Sequence, residues 1–243
     1  MAKNRATQYF VILAPIIYLS ITIFLLRSKV QYYFLASALL ILVTALFLWQ
    51  NNSVKKLQVG HWLAVLAAIG LSASTILLIE KVELLIEPSR ITSCSISPIV
   101  ACSPVITSDQ ASAFGFPNPI IGVFGFAAVF TAGMTILAGA RNLHKAWWRT
   151  LLTGTVLGVG FSAWLIFQAL YRINSLCLYC MGVWIVSIGL LWVVLAAAID
   201  NKSLNLGRLN TFFERPLTPL VYSYLVLFGL IFIHWSDYWT SLF

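Results

Sequence analysis

Four cysteines carry the chemistry this chain can do, and they fall into two pairs. Cys94 and Cys102 have seven residues between them, and Cys177 and Cys180 form the C-x-x-C of "LCLYC". Thiols in pairs exchange disulfides by thiolate attack on sulfur. On a helix the C-x-x-C spacing puts both side chains on one face. It also allows the Cα separation of about 4.4–6.8 Å that a disulfide needs. Asn174 or Ser175 is placed to cap the helix that follows. Both cysteines then fall in its first turns, where free N–H groups and the helix dipole favour a thiolate. Two other readings compete. An outer pair can be a structural staple, and four cysteines can hold zinc. A zinc site usually has two close pairs, which Cys94 and Cys102 do not make. His61, His144 and His234 lie near span ends on both faces and do not converge, so no metal is assigned.

The elements that must position these thiols are membrane helices. The chain is 60% hydrophobic and 9% charged, with mean hydropathy +0.93, against about 25% charge in a soluble domain. Apolar runs of roughly 18–24 residues recur along its length, each able to cross a hydrocarbon core about 30 Å thick. In lipid such runs must be helices, and alternating strands of an outer-membrane barrel are absent from the pattern. The pattern predicts seven spans: Tyr9–Leu26, Tyr32–Trp49, His61–Ile79, Asn118–Ala140, Leu151–Ile173, Leu176–Ile199 and Leu217–Trp235. The first run is too long for a signal peptide, contains Pro15 and is soon followed by a second span. It reads as one arm of a hairpin.

The net charge of +8 is an orientation signal and not a nucleic-acid footprint. With loops placed alternately, the N-terminal side holds Lys3, Arg5, Lys55, Lys56, Arg141, Lys145, Arg149, Lys202, Arg208 and Arg215. The other side holds Arg27, Lys29, Lys81, Arg90 and Arg172. This two-to-one bias sets the N-terminus in the cytoplasm and the C-terminus outside. The long loop 80–117, with Cys94 and Cys102, is then external. So is the short turn Arg172–Ser175, which delivers Cys177 and Cys180. All four thiols share the side that tolerates disulfides, although neither the span count nor the charge count used them.

The segments "CSISPIVACSPVITSDQASAFGFPNPIIGVFGF" (94–126) and "LCLYCMGVW" (176–184) resemble the vitamin K epoxide reductase family in its bacterial form. The resemblance rests on the C-x7-C loop pair, the F-G-x-x-N-x-x-x-G type lead-in to the next span, and C-x-x-C at the head of a later span. The bacterial quinone reductases with a similar task carry C-x-x-C first and the spaced pair second, the opposite order. The resemblance implies an all-α polytopic membrane protein. A catalytic four-helix bundle covers 61–199, with an N-terminal transmembrane hairpin over 1–60 and an extra C-terminal helix within 200–243. It implies a membrane thiol:quinone oxidoreductase supporting disulfide formation in secreted proteins. The electron acceptor would be a quinone of the menaquinone, ubiquinone or vitamin K type. Cys180 corresponds to the cysteine facing the quinone, and Cys177 to its partner, which exchanges with Cys102. Cys94 corresponds to the outermost shuttle, attacked by a thioredoxin-like (DsbA-like) thiol oxidase. Many bacterial members carry that domain fused. This chain shows no such pattern, so a separate extracytoplasmic protein is expected. The location implied is the bacterial cytoplasmic membrane, with the active site extracytoplasmic. Reduction of vitamin K epoxide or quinone for its own sake is the alternative enzyme. A polytopic scaffold or transporter subunit with structural disulfides is the non-enzymatic one, disfavoured because the spans show no mid-membrane charge.

Several further residues have two readings each. Asn118 corresponds to the family's quinone-carbonyl ligand, but it also precedes Pro119 as a helix cap would. Trp184 fits a ring-pocket wall or an interfacial belt. Phe114 and Phe116 flank Gly115 and fit a wedge over the bundle mouth or a loop anchor. Residues 108–113 fit a short helix over that mouth, capped by Ser108. Gly154 and Gly158 suggest helix packing through G-x-x-x-G. Glu80, Glu83 and Glu87 suggest a solvated helix extension beyond the third span, or a docking face for a basic partner. The orientation has a direct check. A membrane-impermeant thiol reagent, applied to reduced intact cells, is expected to reach Cys94 from outside, whereas labelling only after lysis would invert the topology.

Overall fold

A computed structural model describes residues 59–240 apart from 96, 98, 141–142 and 214–215. The two predicted N-terminal spans lie outside the described residues. What is described is all-α, with one isolated parallel bridge between Val100 and Leu176. Five helices among the described residues are long and apolar enough to cross a membrane. They are α1 (Val59–Ile86), α3 (Pro119–Leu137), α4 (Lys145–Gln168, continued as a π turn over Ala169–Ile173), α5 (Leu178–Asp200) and α7 (Leu217–His234). Short helices α2 (Cys102–Thr107), α6 (Asn210–Phe213) and α8 (Ser236–Thr240) fill connections.

The helix ends follow local chemistry. α1 runs past the predicted span end at Ile79, as the expected extension requires, and stops at Ile86, because Pro88 disfavours helical geometry at Glu87. α3 opens on Pro119 at the first helical position, where the missing N–H costs nothing. Gly139, at φ +100°, turns the chain out after α3. α4 starts at Lys145 instead of Leu151, since His144 Nδ1 accepts the Ala146 N–H at 3.2 Å and caps the earlier turn. At its other end the π turn closes on Asn174, which takes left-handed geometry at φ 58°.

α1 and α5 form the centre of the bundle and are the most buried spans. α3 packs along α1, α4 along α5, and α3 and α4 barely touch. α7 lies against α5, held by Trp192 Nε1 donating to Ser223 Oγ at 3.0 Å and Tyr224 OH donating to the Ile185 carbonyl at 2.9 Å. At the end away from the cysteines, Arg149 Nε donates to the Ser203 carbonyl at 3.0 Å.

The α1–α3 seam is close because small residues face each other there. A Cβ on Gly133 would lie 2.7 Å from the Ala64 backbone nitrogen and 3.0 Å from the Gly60 carbonyl oxygen. Membrane helices gain from such approach because lipid gives no hydrophobic drive between them. Gly133→Ala is expected to destabilise the bundle by about 1–3 kcal/mol, the usual cost of overpacking. Thermal unfolding in detergent checks this, with Gly125→Ala as the control, since a Cβ at Gly125 meets nothing within 4 Å among the described residues.

Candidate active site

Cys102 reaches Cys177 through a short backbone splice. The Ala101 N–H donates to the Leu176 carbonyl at 2.9 Å, and the Leu176 N–H donates to the Ile99 carbonyl at 2.8 Å. Ser175 Oγ adds a donation to the Ala101 carbonyl at 2.9 Å. These bonds clip the loop segment 99–101 beside the turn that precedes α5. The Sγ atoms of Cys102 and Cys177 then stand 2.8 Å apart. Cys102 is at the same time disulfide-bonded to Cys94, with Cα atoms 5.6 Å apart. The three sulfurs lie within 4.8 Å of one another and are buried. Ile76, Leu77, Leu84, Ile106 and Tyr179 surround them. One sulfur bonded to a neighbour and in contact with a second is the arrangement of disulfide exchange. Cys177 and Cys180 are free thiols.

Two expectations about this turn need correction. Neither Asn174 nor Ser175 caps α5. Asn174 ends the π turn, and Ser175 spends its hydroxyl on the loop. Cys177 itself occupies the N-cap position, so α5 begins at Leu178, two residues after the predicted Leu176. Cys180 remains in the first turn, half-buried.

Cys180 opens onto a cavity of about 1210 Å³ that fills the gap between α3 and α4. Asn118, Trp184 and Phe114 line its mouth beside Cys180, and Ala132, Trp147 and Leu151 line its far end. At about 1.5 Å per residue, the lining stretch of α4 from Trp147 to Gln168 covers roughly 30 Å. Trp184 is buried and so is not a residue of an interfacial belt. Gly154 and Gly158 were expected to pack helices. Among the described residues a Cβ on either would meet nothing within 4 Å, and both line this cavity.

Asn118 does not cap α3 through its side chain. Its Oδ1 accepts the Ala113 N–H at 3.0 Å, and its Nδ2 donates to the Gln110 carbonyl at 2.6 Å. It therefore latches the loop over the bundle mouth, while one amide N–H and further acceptor capacity remain. That loop contains the expected short helix, a 3-10 turn over Asp109–Ser112, preceded by the unforeseen α2. Ser108 does not cap the turn, because its hydroxyl donates back to the Val105 carbonyl at 2.8 Å. Phe114 reaches across to Phe161 of α4, with ring centroids 5.7 Å apart, and lines the cavity. Phe116 stacks on Phe114 from outside at 6.3 Å and does not line it.

The acidic residues after the third span divide. Glu83 pairs with Arg90 at the surface, and Glu87 is exposed, as a solvated extension requires. Glu80 is 1% exposed and faces inward. Its Oε1 accepts the Ser93 hydroxyl at 2.5 Å and the Ser93 N–H at 3.3 Å. Ser93 Oγ also meets Tyr179 OH at 2.9 Å. The sequence reading missed this set. Tyr179 between the two C-x-x-C cysteines was its only visible signal. The histidines stay apart: His144 caps α4, and His234 Nε2 meets Asn174 Oδ1 at 2.8 Å.

A helical membrane bundle with a sulfur relay at one end, opening by a free thiol onto an apolar cavity, defines a membrane thiol–disulfide oxidoreductase. The model of the Vitamin K epoxide reductase family matches residues 61–195, more than half of the 243 residues, and the chain belongs to that family. No curated protein matches the chain. Membership makes it a disulfide/quinone oxidoreductase in kind, and the cysteines are redox groups rather than metal ligands.

Proposed function

We propose that the chain reoxidises a separate thioredoxin-like thiol oxidase on the extracytoplasmic side of the bacterial cytoplasmic membrane and passes the electrons to a membrane quinone. The observation that carries this reading is Cys102, bonded to Cys94 and 2.8 Å from the Cys177 sulfur, with Cys180 on the cavity wall.

The thiols act in sequence, starting with Cys177 and Cys180 joined. A thiolate of the partner attacks Cys94 Sγ, the Cys94–Cys102 bond breaks, and Cys102 leaves as a thiolate. Cys102 attacks Cys177 Sγ, the Cys177–Cys180 bond breaks, and Cys180 leaves as a thiolate facing the cavity. The partner's second thiolate resolves the mixed disulfide and frees Cys94. Cys94 then attacks Cys102, which restores the Cys94–Cys102 bond and releases Cys177. The Cys177–Cys180 dithiol gives up two electrons and two protons as its own disulfide re-forms. A bound quinone supplies the sink for that pair. It is needed because a strongly oxidising partner sits near about −120 mV, and about 30 mV is worth ~1.4 kcal/mol for a two-electron couple.

The residues present fit a quinone. The cavity wall is predominantly apolar, and Trp184, Phe114 and Cys180 all line it. The spare N–H of Asn118 is a donor for a ring carbonyl. The length of the cavity along α4 suits a polyprenyl tail, which Gly154 and Gly158 leave room for. Cys94 is 1% exposed, so attack by a partner requires the turn around residues 92–95 to open.

Quinone reduction by the purified protein, driven by a reduced thioredoxin-like oxidase, tests the reaction. Cys180→Ala is expected to abolish turnover, and full activity in that variant would remove the assignment. Cys102→Ser is expected to trap Cys94 in a mixed disulfide with the partner, visible as a band that reductant dissolves. Persistent failure of that complex to form would sink the shuttle role of Cys94.

A further inference from the structure

Glu80 is the buried ionisable group that the relay does not use. Its second carboxylate oxygen, Oε2, is buried with no hydrogen-bond partner. The nearby cations are committed elsewhere: Lys81 Nζ donates to the Ile106 carbonyl at 2.7 Å, and Arg90 pairs with Glu83. A buried carboxyl without a cation is costly. Its position is therefore informative, and it sits between the two halves of the relay. Ser93 adjoins Cys94, and Tyr179 lies between Cys177 and Cys180. Ser93 donates its one hydroxyl proton to Glu80 Oε1, so Tyr179 OH donates to Ser93 Oγ. The Ser93 N–H makes the same carboxylate a two-point holder of the turn that carries Cys94.

The geometry points to Glu80 as a positioning residue: together with Ser93 and Tyr179 it forms a clamp that locks the Cys94 turn onto the C-x-x-C turn. Closed, the clamp keeps Cys94 covered and Cys102 in contact with Cys177. Open, it would expose Cys94 to a thiol partner. One carboxylate on a rigid helix thus couples access at the outer sulfur to transfer at the inner one. The inference rests on the relay proposed above.

The clamp and the relay are separable in one experiment. In the oxidised Cys94→Ala chain, the Cys102 thiolate attacks Cys177 Sγ, the Cys177–Cys180 bond breaks, and Cys180 is released as a thiolate. Non-reducing peptide mapping reads the fraction of Cys102–Cys177 bonds. Adding Glu80→Ala, Ser93→Ala or Tyr179→Phe is expected to lower that fraction several-fold. Glu80→Gln should retain most of it, because its carbonyl still accepts both Ser93 donors. In the fully reduced four-cysteine chain, Tyr179→Phe and Glu80→Ala should also speed maleimide alkylation of Cys94 several-fold with Cys177 unchanged, which general loosening of the bundle would not do. An unchanged fraction in Tyr179→Phe and Ser93→Ala would overturn the clamp, even if Glu80→Ala failed to fold. Absence of any Cys102–Cys177 bond in the Cys94→Ala parent would overturn the relay itself, and the clamp with it.

Discussion

Cys102 can hold one sulfur bond at a time, and it stands within reach of two. The rest of the described structure serves that constraint. Exchange needs the three sulfurs close and nearly collinear, which flexible loops would not maintain. Here Cys94 and Cys102 are tied to each other, while Cys102 is fixed to Cys177 by backbone bonds between 99–101 and 175–176. Ser175 strengthens the splice with a buried hydroxyl, and Cys177 is held as the cap residue of α5. The reacting atoms are thus carried by helix starts and a bridge, and their spacing rests on main-chain bonds together with the side-chain set of Glu80, Ser93 and Tyr179.

The bundle around this point is deliberately uneven. On one side, Gly60, Gly70, Gly122 and Gly133 bring α1 and α3 into contact so close that a Cβ would collide. On the other, α3 and α4 part, and the glycines of α4 meet no neighbour among the described residues. The same residue type therefore seals one seam and leaves another open. The loop between α2 and α3 covers the mouth of the opening, latched by Asn118 and bridged to α4 through Phe114 and Phe161. The relay proposed above, which keeps thiolates from water and takes a lipid-soluble oxidant from the side, needs both kinds of seam.

The legible part of this in the sequence was the part governed by long apolar runs and by cysteine spacing. Hydropathy found the described spans because lipid forces helices on such runs, and the cysteine order pointed to the family. The misreadings share a cause: each depended on which neighbour a side chain meets. Asn118 before Pro119 reads as a cap, but the loop that folds back offers its amide better partners at Gln110 and Ala113. Gly154 and Gly158 match a packing motif, yet no helix approaches them among the described residues. Glu80 looks like one of three solvated acids. The expected helix extension is there, but it turns Glu80 inward to Ser93 while Glu83 turns out to Arg90. The π turn before Asn174 shifts the start of α5, and no local signal in "ALYRINS" announces it.

The helix beyond the family core has a physical role that follows from its contacts. Leu227, Ile231 and Trp235 of the α7 region pack in one cluster with Leu170, Leu176 and Trp184. Those three belong to the π turn, the splice and the cavity wall. His234 meets Asn174, the residue whose left-handed backbone ends the π turn. Asparagine tolerates that conformation at a helix end, and His234 holds its side chain. α7 thus backs the wall and the turn from the side opposite the cavity. In the function proposed above, Trp184 would hold a ring beside Cys180 only if it cannot yield backwards, and the two polar ties of α7 to α5 at Ser223 and Tyr224 keep that support in place. The extra span is best understood as the outer layer of the same site.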